Sequence, residues 1–263
     1  MMIRFLSRVA KAIEGIIMHL TYQRVIPWKN WCNVCERWTA FVCITPGERF
    51  VRSCVRCRST PKYRAIVKAV EETTSRPLSQ HMAGGAKLYE LTTKSPICRR
   101  YSNLTNYVCS GYFWNKPFGI EIKPRVYNQD CQRLSFPDAS FEIAISSETM
   151  EHVRKPWVGF SEIHRVLKPG GTYFFTIPYR DDCMTKSRVD VSGTEDVYLL
   201  PKIFHDDPYR SEDSLVYTDF GRDLPLQLRP FGFETTVLRI RDERMDIQDD
   251  LAPIIVFVAK RVE

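Results

Sequence analysis

The stretch Phe141–Pro178, FEIAISSETMEHVRKPWVGFSEIHRVLKPGGTYFFTIP, decides the fold. Phe141, Ile143 and Ile145 alternate with small or polar residues, which is the period of a strand. Pro156 suits the first turn of a helix, where its missing N–H costs nothing. Trp157, Phe160, Ile163, Val166 and Leu167 then recur at helical spacing. Pro169-Gly170-Gly171 ends that helix with a tight turn, and TYFFTIP has the β-branched and aromatic content of a buried strand. A strand, a polar elbow, a helix, a turn and a second strand imply a parallel sheet covered on both faces. Ligands of such sheets sit beyond the carboxyl ends of the strands, so Ser146 to His152 face a site.

The same alternation continues outward. AKLYEL reads as a strand, SPICRRYSNL as a short helix and NYVCSGYF as a second strand; FGIEI has extended character and NQDCQRLSFPDASF is a polar loop. After a long segment from Tyr179 to Val216, a helix is expected to end near Gly232. FETTVLRI and PIIVFVAKR close the chain as an antiparallel hairpin at the sheet edge. This is an α/β pattern with an open, doubly wound sheet over residues 86–263.

The front of the chain differs in character. Residues 1–68 hold 13 Lys/Arg against 3 Glu, whereas the rest is slightly acidic, and the whole chain carries +7. A basic front attracts phosphate, RNA or an anionic membrane surface, or is simply a solvated face. No run of about 18 apolar residues is present, which excludes a spanning helix. Residues 1–28 read as an amphipathic helix with Phe5, Leu6, Val9, Ile13, Ile16, Ile17 and Leu20 on one face. Such a helix can lie peripherally on a membrane, pack on the protein's own core, or join a homodimer.

Nine cysteines, an odd number, fit a reducing cytoplasm better than a disulfide framework. Four of them, Cys32, Cys35, Cys54 and Cys57, form C-x2-C-x18-C-x2-C within residues 29–68. Two knuckles on tight turns, joined by a hairpin through TPGE, suit a four-thiolate Zn2+ site of the zinc-ribbon kind. Four thiolates close the coordination shell, so the expected role is structural. The competing reading is two unligated or redox C-x-x-C pairs.

An Asp before LSF, a strand running into an EH loop, and RVLKPGG before the next strand occur here in order. With these motifs, Asp130 to Pro178 resembles the class I S-adenosylmethionine-dependent methyltransferases of the small-molecule type. The resemblance implies a Rossmann-like sheet of seven strands ending in an antiparallel hairpin. It implies S-adenosylmethionine as cofactor and a small-molecule or glycan acceptor. An RNA methyltransferase with a zinc ribbon and a non-catalytic relative are the alternatives. By resemblance, Glu90 stands at the opening acid, with Thr92, Thr93 and Ser95 in place of the usual glycines. Gly111 stands where an acid usually holds the ribose. Asp130 meets the adenine amine with Cys131 beside it, and Ser146, Ser147 and Glu148 lie near the methionine end. His152 and His205, the latter in the long Tyr179–Val216 segment, are the candidate bases.

Overall fold

The computed structural model describes residues 30–43, 52–205, 214–248 and 252–262. The expected amphipathic helix of residues 1–28 and the TPGE turn lie outside them.

Eight strands form the central sheet: β1 (Leu88–Glu90), β2 (Tyr107–Gly111), β3 (Glu121–Lys123), β4 (Val126–Asn128), β5 (Phe141–Ser147), β6 (Leu167–Thr176), β7 (Phe233–Ile240) and β8 (Ile254–Arg261). Their spatial order is β7-β8-β6-β5-β1-β2-β4-β3. Strands β6, β5, β1, β2 and β4 run parallel. β8 is antiparallel to both β6 and β7, which makes the expected terminal hairpin. Against the seven strands expected, the sheet has eight: the extended segment FGIEI reaches into β3, laid antiparallel on β4 at the far edge. The additional strand is β4, Val126–Asn128, between that segment and the polar loop, where three residues are too few to show a period.

Two cores cover the two faces. Ile143, Ile145, Phe174, Val256 and Val258 belong to one, while Ala144, Tyr173, Phe175, Phe257 and Ala259 belong to the other. The strand period of two sends neighbours to opposite faces. Helix α1 (Pro61–Thr74) buries Ala65, Ile66, Val67, Ala69 and Val70 in the first core. Two further short helices follow, α2 (Leu78–Ala83) and α3 (Pro96–Tyr101). Helix α4 (Pro156–Val166) starts at its proline and buries Phe160, Ile163 and Val166 in the second core. Full burial of such side chains contributes about 1.5–3 kcal/mol each.

The Lys168–Gly171 turn is absorbed into β6 as a bulge: Leu167 pairs with Phe141, but Thr172 already pairs with Ile143. Gly170 takes φ +76, and a Cβ on Gly171 would stand 2.8 Å from the Lys168 carbonyl. Helix α5 (Leu224–Leu228) continues as a 3-10 turn to Gly232, whose φ of +83 caps it.

The cysteine module comprises two antiparallel pairs, Asn30–Cys32 with Arg37–Thr39 and Phe41–Cys43 with Arg52–Cys54. It shares a core with the sheet: Cys32, Val34, Phe41 and Cys54 cluster with Leu88, Ile97 and Val256. Helix α1 runs through the boundary expected at residue 68.

Candidate functional site

The carboxyl ends of β5, β1, β2 and β4 line one edge of the sheet, and the cofactor residues expected from sequence fall there. Glu90 ends β1, fully buried. It accepts a hydrogen bond from the Tyr107 hydroxyl, and its Oε1 has no partner. Burial pushes its carboxyl up to about 8, against the lowering effect of Ser95 and Tyr107. Ser95 is buried and caps α3, accepting from the Cys98 N–H at 2.7 Å. Thr92 and Thr93 lie partly buried on the loop between them.

Gly111 ends β2, and the space beside it is filled: a Cβ there would meet the Phe113 ring at 2.7 Å. Phe113 is held by its N–H to Asn128 Oδ1 at 2.7 Å. Asp130 follows β4, where its Oδ1 accepts from the Gln132 N–H at 2.9 Å and from the Gln132 side chain at 3.0 Å. Burial raises the Cys131 thiol to about 12, with Asp130 adding to the shift.

Ser146 and Ser147 end β5, and both hydroxyls are engaged inside the sheet. Ser146 Oγ meets the Tyr173 hydroxyl at 2.5 Å, and Ser147 Oγ meets Thr176 Oγ1 at 2.9 Å. Glu148 follows in the left-handed region at φ 51. Its Oε2 pairs with Lys62 Nζ at 2.7 Å, while its Oε1 has no hydrogen-bond partner.

His152 and His205 lie 53 residues apart in sequence, yet their rings meet edge to face at 5.1 Å between centroids. His152 Nδ1 lies 2.9 Å from the Leu215 carbonyl. His205 sits on a short ladder, Phe204–His205 with Ser214–Leu215. Glu151, between Glu148 and His152 in the elbow, is buried, and its carboxyl is pushed well above the usual range by burial and by Glu148. Sequence reading passed over it, although the E-x-x-E-H spacing at Glu148, Glu151 and His152 was the available signal.

The quartet assembles as expected. One sulfur from each of Cys32, Cys35, Cys54 and Cys57 lies within 4.8 Å of the others, with Cys32 and Cys57 at 3.6 Å and Cys35 and Cys54 at 4.0 Å. Four thiolates about 2.3 Å from one zinc stand about 3.8 Å apart, so the donor set and spacing fit that ion. The module is docked against the cofactor edge. Arg99 and Arg100 of α3 donate to the carbonyls of Cys57 and Val34, and Arg100 pairs with Glu36 at 2.7 Å. Arg64 is wholly buried, bonds the Asp246 carbonyl at 2.8 Å and lies 4.0 Å from the Phe41 ring centre. Arg52 pairs with the same aspartate.

Among known proteins, a family described as methyltransferase domain matches residues 112–175. The sterol 4-C-methyltransferase strm-1 of Caenorhabditis elegans is 33% identical over 55 residues, covering 21% of this chain and 16% of that protein. The sterol 24-C-methyltransferase erg-4 of Neurospora crassa is 38% identical over 55 residues, 21% of this chain and 14% of that one. The chain thus spans well under a fifth of the length of these curated relatives. A solved methyltransferase of Haloferax volcanii, in complex with the Trm112 methyltransferase activator, is 17% identical with a TM-score of 0.44, over 76% of this chain and 95% of that one. The family match over residues 112–175, the Asp130–Pro178 motifs and the strand order agree on a methyltransferase-domain fold for this part of the chain.

Proposed function

We propose that the protein transfers a methyl group from S-adenosylmethionine to a small-molecule or glycan acceptor. The carrying observation is the convergence of Glu90, Gly111, Asp130 and Glu148 at the carboxyl ends of four adjacent parallel strands. Glu90 Oε1 and Glu148 Oε1 are carboxylate oxygens without partners at that edge, and the cofactor carries an ammonium and a sulfonium. Glu148 would hold the cationic end, joined by Glu90 once the arriving ammonium displaces its proton, and Asp130 would accept from the adenine amine. The Phe113 ring beside Gly111 takes the place of a ribose-binding acid. The cofactor supplies an electrophilic methyl, so the protein's part is alignment and exclusion of water.

The small-molecule reading draws support from the short matches to sterol methyltransferases. It draws further support from three cations of the basic front that are spent internally. Arg52 and Arg64 pair with Asp246, and Lys62 pairs with Glu148, which leaves them poorly placed to grip RNA phosphates. The quartet would hold one structural zinc. No helix among the described residues is long and apolar enough to cross a membrane. The free thiols fit residence in a reducing cytoplasm.

Calorimetry with S-adenosylmethionine tests the reading. Saturable one-to-one binding is expected, weakened about tenfold or more in Asp130→Ala, since a lost ligand hydrogen bond costs about 1–3 kcal/mol. Folded, zinc-loaded protein that gives no binding heat would leave the non-catalytic alternative standing.

A further inference from the structure

The Glu151 side chain is 1% exposed, and neither carboxylate oxygen has a hydrogen-bond partner. A bare carboxylate is not stable in such a place without a proton, a cation or a set of donors. His152 Nε2 lies 3.5 Å from its Oε1, and Glu148 and Lys62 act on it from the same elbow. His152 Nδ1 faces the Leu215 carbonyl at 2.9 Å, a contact that a neutral ring makes only by carrying its hydrogen there. Nε2 is then the ring atom on the Glu151 side, and the unpartnered carboxylate beside it is the group a bound cation would answer. His205 supplies a third donor: one ligand atom from each of Glu151, His152 and His205 lies within 4.8 Å of the others. The ladder that carries His205 opposite Ser214 also supplies the Leu215 carbonyl that sets the His152 tautomer. A carbonyl on the far nitrogen is the usual outer support of a metal-bound imidazole.

We infer that Glu151, His152 and His205 bind a divalent first-row transition-metal ion, separate from the cysteine quartet, and that this ion fastens the Tyr179–Val216 insertion to the elbow after β5. Two imidazoles with one carboxylate favour Mn2+, Fe2+, Co2+ or Zn2+ over Mg2+ and Ca2+, which prefer all-oxygen sets. Bonds of about 2.1 Å put donors roughly 3–4.3 Å apart around such an ion, so only slight closure is needed. Three protein ligands leave further positions for water or another oxygen ligand.

The test uses the full-length protein with its quartet occupied. Mn2+ is titrated and free ion is read by electron paramagnetic resonance. Co2+ is titrated in parallel, because thiolate charge-transfer bands would expose any entry into the quartet. One Mn2+ per chain is expected beyond the structural zinc, without thiolate bands in the Co2+ experiment. His205→Ala removes a ligand at a partly exposed ladder, and Glu151→Gln removes one in the elbow; each is expected to weaken Mn2+ binding at least tenfold while zinc content stays the same. Bound Mn2+ is also expected to slow proteolysis of residues 179–217 in the parent protein and not in His205→Ala. Absence of saturable Mn2+ or Co2+ binding, or binding unchanged in both variants, overturns the site.

Discussion

Glu90 carries its proton at neutral pH, because burial outweighs the Ser95 and Tyr107 hydrogen bonds and lifts the carboxyl to about 8. An unfolded glutamate titrates near 4.3. Between about pH 4.3 and 8 the folded protein therefore holds a proton that the unfolded chain has lost. Stability from this group is full below the lower value and falls as pH rises to the upper one, by at most about 1.4 kcal/mol per pH unit. Melting temperatures of the ligand-free protein across pH 5–9 should decline more steeply than those of Glu90→Gln; parallel curves would contradict the assignment. Gly111 shows a different limit of sequence reading. Its missing acid was legible, but the Phe113 ring that occupies the space was not, since only the folded loop brings the two together. Gly111→Glu should therefore fail to tighten S-adenosylmethionine binding, because the new side chain meets that ring. The double variant with Phe113→Ala should bind more tightly than Phe113→Ala alone, and calorimetry on the set decides.

At the scale of elements, β5, α4 and β6 were legible because apolar periods of two and 3.6 run long enough to be distinct. Val126–Asn128 was illegible for the opposite reason, and the described residues of the 179–217 insertion form two-residue ladders that no period reveals. The knuckle spacing announced the quartet, whereas the docking of those knuckles on α3 had no local signal. That docking joins the quartet to the edge where the cofactor would bind. Helix α3 begins where the Thr92–Ser95 loop ends, and its Arg99 and Arg100 hold knuckle carbonyls. Purified protein should contain about one tightly held zinc, and Cys54→Ser should lose it and open residues 30–57 to protease. The same variant should bind S-adenosylmethionine several-fold more weakly. Retention of full affinity in a zinc-free variant would disconnect the two sites.

For the whole molecule, the cysteine module and the sheet form one packed body around Arg64 and Asp246. Burial lowers the Arg64 guanidinium to about 10 despite the aspartate beside it. Removing one partner of such a pair leaves the other buried without compensation, at a cost of about 3–5 kcal/mol. Asp246→Ala should lower the urea midpoint accordingly in a single transition, since Cys32, Ala65 and Val256 share a core. An early, separate transition of the module alone would mean that the two halves fold independently.

The Arg64–Asp246 link spans 182 residues of chain. On the ribosome, where synthesis runs at about 5–20 residues per second, the cysteine pairs emerge first and wait roughly 10–40 seconds for the aspartate that anchors them. Metal can close the knuckles during that interval, but the arginine must remain hydrated until the last hairpin arrives. Nascent chains arrested before residue 246 should therefore expose α1 to protease even when zinc is present, and chains released after the final strand should not.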